Sequence, residues 1–323
     1  MSTSLAARVT NFIIVGAMKS GTTSLHHILA SHPRIFIPAG EIGYFDHDEY
    51  FEHVDFFTDT AGRWVPRDFE RNPERGANWY SRFFADAHPG QLLGEDSTTY
   101  LASRHAAARI ARYNPGMRII VMLREPAARA YSQYWHMLRT GRVFHSFEDT
   151  LRLMPERILS RSYYLEQMQR YLGCFPRSQV LVIAFEQFVG DTLAGAVAAL
   201  RFLGIDASEF CLPEHGALSN PAQLARSQTL QQYRNQWLWR SEFGRYGNHL
   251  QGLSATSFST RASLWVRALR RLSAMVNPLS VAPPPPMRED TRKFLSDMMR
   301  RETTGLSELV GIDLESIWYG KNH

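Results

Sequence analysis

Residues 12–25, Phe-Ile-Ile-Val-Gly-Ala-Met-Lys-Ser-Gly-Thr-Thr-Ser-Leu, constrain the fold more than any other stretch of the chain. Phe12 to Val15 is a run of apolar, mostly β-branched residues, which predicts a fully buried strand. Gly16 and Gly21 bracket a tight loop, and Ser24-Leu25-His26-His27-Ile28-Leu29 opens a helix with Leu25, Ile28 and Leu29 on one face. Strand, glycine-bracketed loop and helix N-terminus together make an anion cradle, where backbone N–H groups and the positive end of the helix dipole point at one spot. A nucleoside-triphosphate loop of the form G-x-x-x-x-G-K-[ST] needs its Lys on the terminal phosphates. Here Thr22 stands at that position, and the lysine is Lys19, inside the loop. A cation moved there fits a single bridging phosphate stabilised as it leaves, without a metal clamp. On this loop alone, an ordinary strand–turn–helix whose glycines merely allow the turn is an equally open reading.

A second segment, Arg118 to His136, breaks the tie. Ile119 to Leu123 reads as another buried strand, parallel to the first because a helix over 102–113 intervenes. Arg124 ends it, Pro126 opens a helix at a favoured first-turn position, and Ser132 lies about two turns in. An Arg at a strand end and a Ser on the next helix converge on one phosphate, with the guanidinium gripping two oxygens. Two phosphate sites, each after its own strand, fit a bisphosphorylated nucleotide lying across the strands' carboxyl edge. Residues 180–183 supply a third buried strand, and 92–100 reads as a strand end running into a loop. The expected fold is a three-layer, P-loop-like α/β sandwich with a central, mainly parallel sheet and helices on both faces. It forms one domain over 1–323, with a helical excursion or lid over 226–290. Helices are expected over 147–153, 156–172, 192–203 and 291–309, and Trp79-Tyr80-x-x-Phe83-Phe84 has the helical spacing of a core segment.

Lys19-Ser20-Gly21-Thr22-Thr23-Ser24 resembles the 5′-phosphosulfate loop of sulfotransferases that use 3′-phosphoadenosine 5′-phosphosulfate (PAPS). Arg124-x-Pro126-x-x-Arg129-x-x-Ser132 resembles their 3′-phosphate motif. The resemblance runs from residue 12 to about 205 and leans toward the heparan-sulfate-type and bacterial branch. It implies in-line sulfuryl transfer from PAPS to an acceptor hydroxyl on a glycan, glycolipid or small natural product, releasing adenosine 3′,5′-bisphosphate (PAP). Lys19 and the loop N–H groups would stabilise the leaving 5′-phosphate, which Ser20, Gly21, Thr22, Thr23 and Ser24 would hold. Arg124 and Ser132 would hold the 3′-phosphate. Gly40-Glu41-Ile42-Gly43-Tyr44-Phe45 resembles a family segment, Lys-Glu-x-x-Phe-Phe, whose Glu is the general base, and so assigns that role to Glu41. Gly40 departs from the Lys of that pattern, and Gly43 from a frequent His. His47 is the rival base, since imidazole does this work in the cytosolic branch. Gly94-Glu95-Asp96-Ser97-Thr98-Thr99-Tyr100 resembles a segment beside the donor and acceptor sites, which offers Glu95 and Ser97 as ligands for acceptor hydroxyls. Asp96 or Ser97 as a helix N-cap is the plainer alternative. Tyr164 aligns with a tyrosine that flanks the donor, and Asn220, Arg226 and Ser227 stand in for a later nucleotide-site loop.

Composition narrows the rest. With 44% hydrophobic and 21% charged residues, the chain reads as a globular protein with ample core. A net charge of +5 suits an anionic ligand, while the absence of any block of like charges argues against nucleic acid. Two cysteines, Cys174 and Cys211, set neither a disulfide framework nor a metal site and read as buried thiols in a reducing compartment. No metal is expected. No stretch approaches the roughly 20 apolar residues that span a bilayer, and no secretory signal is apparent, so the sequence reads as cytoplasmic. Phe258–Val276 reads as a basic amphipathic helix, with Trp265, Leu269, Leu272 and Val276 on one face and Arg261, Arg267, Arg270 and Arg271 on the other. Such a helix lies on an anionic membrane, lids a cleft or packs on the body. Pro283–Pro286 is a stiff linker. Two rivals stand beside sulfuryl transfer. A P-loop kinase or NTPase is disfavoured by Thr22; a non-catalytic, membrane-peripheral nucleotide-binding protein would work through the amphipathic helix.

Overall fold

The computed structural model describes residues 10–50, 53, 57, 64, 73–208, 210–213, 223–243 and 264–320. The N-terminal run forms β1 (Phe12–Gly16). It is joined by β2 (Ile35–Phe36), β3 (Leu92–Asp96), β4 (Arg118–Leu123) and β5 (Val180–Ala184) in one sheet of order β2-β3-β1-β4-β5. Every pairing in it is parallel. Parallel neighbours need crossovers, and helices supply them. They are α1 (Thr22–Ala30), α2 (Pro73–Ser81) and α3 (Ala106–Tyr113) up to β4. Then come α4 (Pro126–Arg139), α5 (Phe147–Leu153), α6 (Pro155–Leu159) and α7 (Tyr164–Cys174) before β5. After β5 the chain runs into α8 (Phe185–Gly190) and α9 (Thr192–Phe202).

The two-residue period of the strands divides their side chains between two cores. Ile13, Val15, Ile119, Val121 and Val182 face one core with Ile110 of α3 and Met168 and Tyr171 of α7. Phe12, Ile14, Ile120, Met122 and Ile183 face the other with Leu25 and Ile28 of α1 and Ala196 and Leu200 of α9. A strand buried on both faces has no polar side, which is why these segments read as unbroken apolar runs. The three-layer α/β arrangement expected from the sequence is the one found. The aromatic stretch from Trp79 to Phe84 joins the first core, α2 passing into a 3-10 turn over residues 82–84.

Two expected helices are broken, and each break has a cause. The segment 156–172 splits into α6, a 3-10 turn at Ser160–Ser162, and α7. Arg129 of α4 is fully buried; its guanidinium takes the Ile158 carbonyl and, through Nε, Ser162 Oγ at 2.6 Å. Gln133 Nε2 takes the Arg157 carbonyl at 2.6 Å. Carbonyls that would extend α6 are thus engaged by α4. The segment 291–309 becomes α12 (Glu289–Glu302) and α13 (Leu306–Val310), parted at Gly305, whose φ of 84° leaves the helical region. After it, α14 (Leu314–Tyr319) returns Trp318 to the first core, where its indole N–H donates to Glu186 Oε2 at 3.0 Å.

The excursion holds a feature the sequence did not announce: β6 (Gln223–Ala225) pairs antiparallel with β7 (Leu279–Val281). Three residues per strand carry too little alternation to be read as strands. Between them lie α10 (Gln228–Phe243) and α11 (Leu264–Val276). Buried Asn235 fastens α10 to the end of α4, its amide donating to the Leu138 and Val143 carbonyls, both at 2.7 Å. The prolines lie against α4, with Tyr131 Oη donating to the Pro285 carbonyl at 2.9 Å. Of the expected amphipathic helix, 264–276 is helical, while 258–263, including Arg261, lies outside the described residues. Cys174 and Cys211 are exposed, not buried as expected: Cys174 is the last residue of α7 and faces outward, and Cys211 lies in the coil after α9. Among the described residues, no helix is long and apolar enough to cross a membrane.

Candidate active site

Strand β1 sits where the sheet's strand order turns, with β3 on one side and β4 on the other. Open parallel sheets bind their ligands at that position, outside the carboxyl ends of the strands. The loop after β1 is fixed by the Ala17 N–H to the Met122 carbonyl at 2.7 Å and the Ser20 N–H to the Ala17 carbonyl at 3.2 Å. Lys19 and Gly21 both take positive φ, 69° and 86°. Backbone of this kind turns successive N–H groups to one side and forms an anion nest. A Cβ on Gly21 would also stand 2.9 Å from Phe185 Cδ2, so only glycine meets both demands. Helix α1 then begins with no side chain capping it, which leaves the N–H groups of Thr22 and Thr23 for an external anion, while the Ser24 N–H donates to the Gly21 carbonyl at 3.0 Å. Thr22 and Ser24 are buried in that turn, Thr23 half-buried, and Ser20 is buried beside Tyr164.

The loop after β4 meets this one. Arg124 Nη1 donates to the Lys19 carbonyl at 3.2 Å, and the guanidinium lies 4.6 Å from the centre of the Phe185 ring. Tyr164 Oη donates to the Arg124 carbonyl at 3.1 Å, so Tyr164 braces both loops. Glu125 caps α4, accepting the N–H groups of Ala127 and Ala128. Ser132 lies half-buried two turns along α4, on the helical face shared by His136 and Arg139.

The electrostatics around these loops are lopsided. Burial, then Arg139 and Arg124, lower the Lys19 ammonium to about 8, while Glu41 opposes the drop. His136 is driven well below its ordinary value by burial and by Lys19, Arg139, Arg142 and Arg161. Arg139 Nη2 lies 3.3 Å from His136 Nδ1, and Arg161 Nη1 lies 2.7 Å from Met18 Sδ in the loop. Facing this group, Glu41 is pushed up to about 7, first by desolvation among the surrounding protein and then by Asp96. Thr98 Oγ1 donates to Glu41 Oε1 at 2.6 Å and holds the rise in check. Glu41 keeps an exposed side, where solvent screens part of the shift and gives its proton a way out.

Lys19, Arg124, the Ser20–Ser24 turn and Glu41 are therefore brought together. His47 is not with them: it is buried, its Nδ1 lies 2.7 Å from the Tyr44 carbonyl, and its charged neighbours are Asp46, Asp48 and Arg109. Glu95 and Ser97 are fully buried and spent on internal hydrogen bonds, which removes them from the surface an acceptor would touch. Burial pushes the Glu95 carboxyl up to about 7 against three hydroxyl donors. Ser227 caps α10 and bonds Asn277, Arg226 is exposed beside the ribbon, and Asn220 lies outside the described residues. Thr98, His136, Arg139 and Arg161 also belong to the group around Lys19 and Glu41, and no motif in the sequence marks them. The spacing of Ser132, His136 and Arg139 by four and three residues was the available signal for two of them. Among the described residues, no group of three or more His, Cys, Asp or Glu could hold a metal ion.

A parallel α/β sheet with an uncapped helix behind a lysine-bearing loop, and an arginine from the neighbouring strand end, is the arrangement of the P-loop-like α/β class. The chain belongs to the sulfotransferase family, whose profile matches residues 11–209. Human bifunctional heparan sulfate N-deacetylase/N-sulfotransferase 2 is 30% identical over 213 residues, covering 61% of this chain and 22% of the relative. Human heparan sulfate glucosamine 3-O-sulfotransferase 5 is 25% identical over 213 residues, covering 62% of this chain and 55% of the relative. The matched region thus spans between about a fifth and about half of these relatives' own lengths. A sulfotransferase structure from Alicyclobacillus acidocaldarius shares the fold over 96% of this chain and 99% of its own, with a TM-score of 0.62 and 24% identity.

One consequence of the Thr98 contact is open to direct test. Thr98 donates to the ionised carboxylate and so favours it; Thr98→Val removes the donor and should raise the Glu41 carboxyl above about 7. Carbon-13 NMR titration of labelled glutamate side chains reads the shift, and an unmoved Glu41 would refute the assignment.

Proposed function

We propose that the chain transfers a sulfuryl group from PAPS to an acceptor hydroxyl and releases PAP. The observation that carries this reading is the hydrogen bond from the Arg124 guanidinium to the Lys19 backbone carbonyl, which ties together the loops after β1 and β4 while Glu41 lies within the field of Lys19. In this mechanism Glu41 takes the proton of the acceptor hydroxyl as its oxygen bonds to sulfur. The bond from sulfur to the 5′-phosphate oxygen breaks, and the electron pair leaves on the phosphate. Lys19 and the N–H groups of Gly21, Thr22 and Thr23 stabilise that charge, while Arg124 and Ser132 grip the 3′-phosphate. A carboxylate raised toward neutrality and an ammonium lowered toward it suit a base and a cation working at the same pH. The heparan sulfate relatives favour a saccharide acceptor, and the 3-O-sulfotransferase among them, unlike the N-sulfotransferase, supports an oxygen as the atom sulfated.

Glu41→Gln should reduce turnover on the order of 10²–10⁴-fold, the usual worth of a positioned base. Its affinity for PAP should hold. The free-enzyme kcat/KM should rise with pH through about 7 as Glu41 ionises and fall through about 8 as Lys19 loses its proton. Arg124→Ala should weaken PAP, titrated calorimetrically in EDTA, by roughly 10- to 100-fold, as for a lost charge-assisted contact. Binding of Mg²⁺-ATP in place of PAP would favour the kinase reading.

We also propose peripheral contact with an anionic membrane through α11. Its support is an exposed apolar face, with Leu272 at 57% and Met275 at 80% exposure, beside exposed Arg271. The protein should float with phosphatidylserine-containing vesicles and not with neutral phosphatidylcholine ones, and the double variant Leu272→Ser, Met275→Ser should stay behind. Equal flotation of the variant, or none of either, would dismiss the contact.

A further inference from the structure

The loop that carries Glu41 is fastened from beneath by hydroxyl groups. Ser97 Oγ accepts the N–H groups of both Ile42 and Gly43, each at 3.0 Å. Tyr100 Oη accepts the N–H of Phe45 at 3.2 Å. Each hydroxyl sends its own proton to the same atom, Glu95 Oε1, from 2.7 Å for Ser97 and 2.5 Å for Tyr100. The other oxygen, Oε2, accepts from Tyr80 Oη at 2.5 Å, and the Tyr80 ring stacks on Tyr44 of the same loop with centres 4.6 Å apart. Glu95, Ser97 and Tyr100 are wholly buried.

The chemistry of the hydroxyl explains why a carboxylate stands there. A hydroxyl has one proton and two lone pairs, so it can accept a backbone N–H only if its proton points elsewhere. Three hydroxyls donate to the Glu95 carboxyl, which here serves as acceptor only and therefore dictates that direction for Ser97 and Tyr100 at once. Burying a charge costs several kcal/mol. An apolar residue would fill the same core space without that cost, so filling space does not account for Glu95. Its three donors connect to residues 42–45, and Thr98, one residue past Ser97, bonds the Glu41 carboxylate itself.

We propose that Glu95, Ser97 and Tyr100 are a positioning unit for the reaction: Glu95 turns the lone pairs of Ser97 and Tyr100 toward the 42–45 backbone and so keeps Glu41 aimed at the reacting oxygen. The inference rests on Glu41 being the base. None of the three touches the acceptor or the nucleotide; they act through the loop. Removing one hydroxyl strands one or two N–H groups and lets the loop drift, and a drift of about 1 Å costs on the order of 10²-fold in rate.

The test compares Ser97→Ala, Tyr100→Phe, Ser97→Thr and Glu41→Gln in steady-state turnover of PAPS with a saccharide acceptor, in PAP titration, and in amide hydrogen exchange. Ser97→Ala should lower kcat roughly 10- to 100-fold with PAP affinity unchanged, and should speed exchange at Ile42 and Gly43. Ser97→Thr, which keeps the hydroxyl, should restore most of kcat. Should Ser97→Ala not fold, Tyr100→Phe makes the same comparison at Phe45. If Glu41→Gln is inactive while Ser97→Ala and Tyr100→Phe keep wild-type kcat, the positioning unit is overturned and the base assignment stands. If Glu41→Gln keeps wild-type kcat, the base assignment itself fails. A fall in kcat matched by an equal loss of PAP affinity, or no rescue by Ser97→Thr, would mark a general loss of structure and also overturn the proposal.

Discussion

The hydrogen bond from Arg124 to the Lys19 carbonyl is the contact on which the site depends. It exists because β1 and β4 are adjacent and parallel, so their following loops emerge at one edge of the sheet. It also brings like charges together. Burial first, and then the fields of Arg139 and Arg124, lower the Lys19 ammonium to about 8. Charge set in place before a ligand arrives needs no reorganisation when negative charge develops, which is where such sites gain their catalytic effect.

The carboxylate side is arranged with the opposite sign. Desolvation and Asp96 lift Glu41, and Thr98 restrains it, so its affinity for a proton is poised near neutrality. The turn from Glu95 to Tyr100 serves it twice: Thr98 bonds the carboxylate, and Ser97 and Tyr100 bond the loop backbone. That turn follows β3, the other neighbour of β1. In the proposed mechanism the nucleotide side is built on the loops after β1 and β4 and the acceptor side on the turn after β3, so one sheet would set the distance between base and leaving group.

The two strand–loop–helix units proposed to hold the nucleotide could be read from sequence because each is local. Gly16 to Ser24 is one strand–turn–helix, and Arg124 to Ser132 is another, with residue types that report their own geometry. The buried strands were legible for a similar reason, since two-sided burial leaves an uninterrupted apolar run at 12–15 and 119–123. Glu41 came from a motif, yet its setting did not, because Thr98 and Ser97 reach it across more than fifty residues. The break of the 156–172 helix was hidden for the same reason: Arg129, which captures Ile158 and Ser162, looked like a phosphate-motif arginine and is instead a buried brace. Glu95 misled in the other direction, as a carboxylate beside the site that turns inward.

The most direct test of the account is a crystal structure with PAP bound. The account predicts the 5′-phosphate on the N–H groups of Gly21, Thr22 and Thr23 beside Lys19, the 3′-phosphate between Arg124 and Ser132, and the Glu41 carboxylate facing the side of the 5′-phosphate that the sulfuryl group leaves. A nucleotide seated with its 3′-phosphate away from Arg124, or with Glu41 turned from the 5′-phosphate, would contradict it.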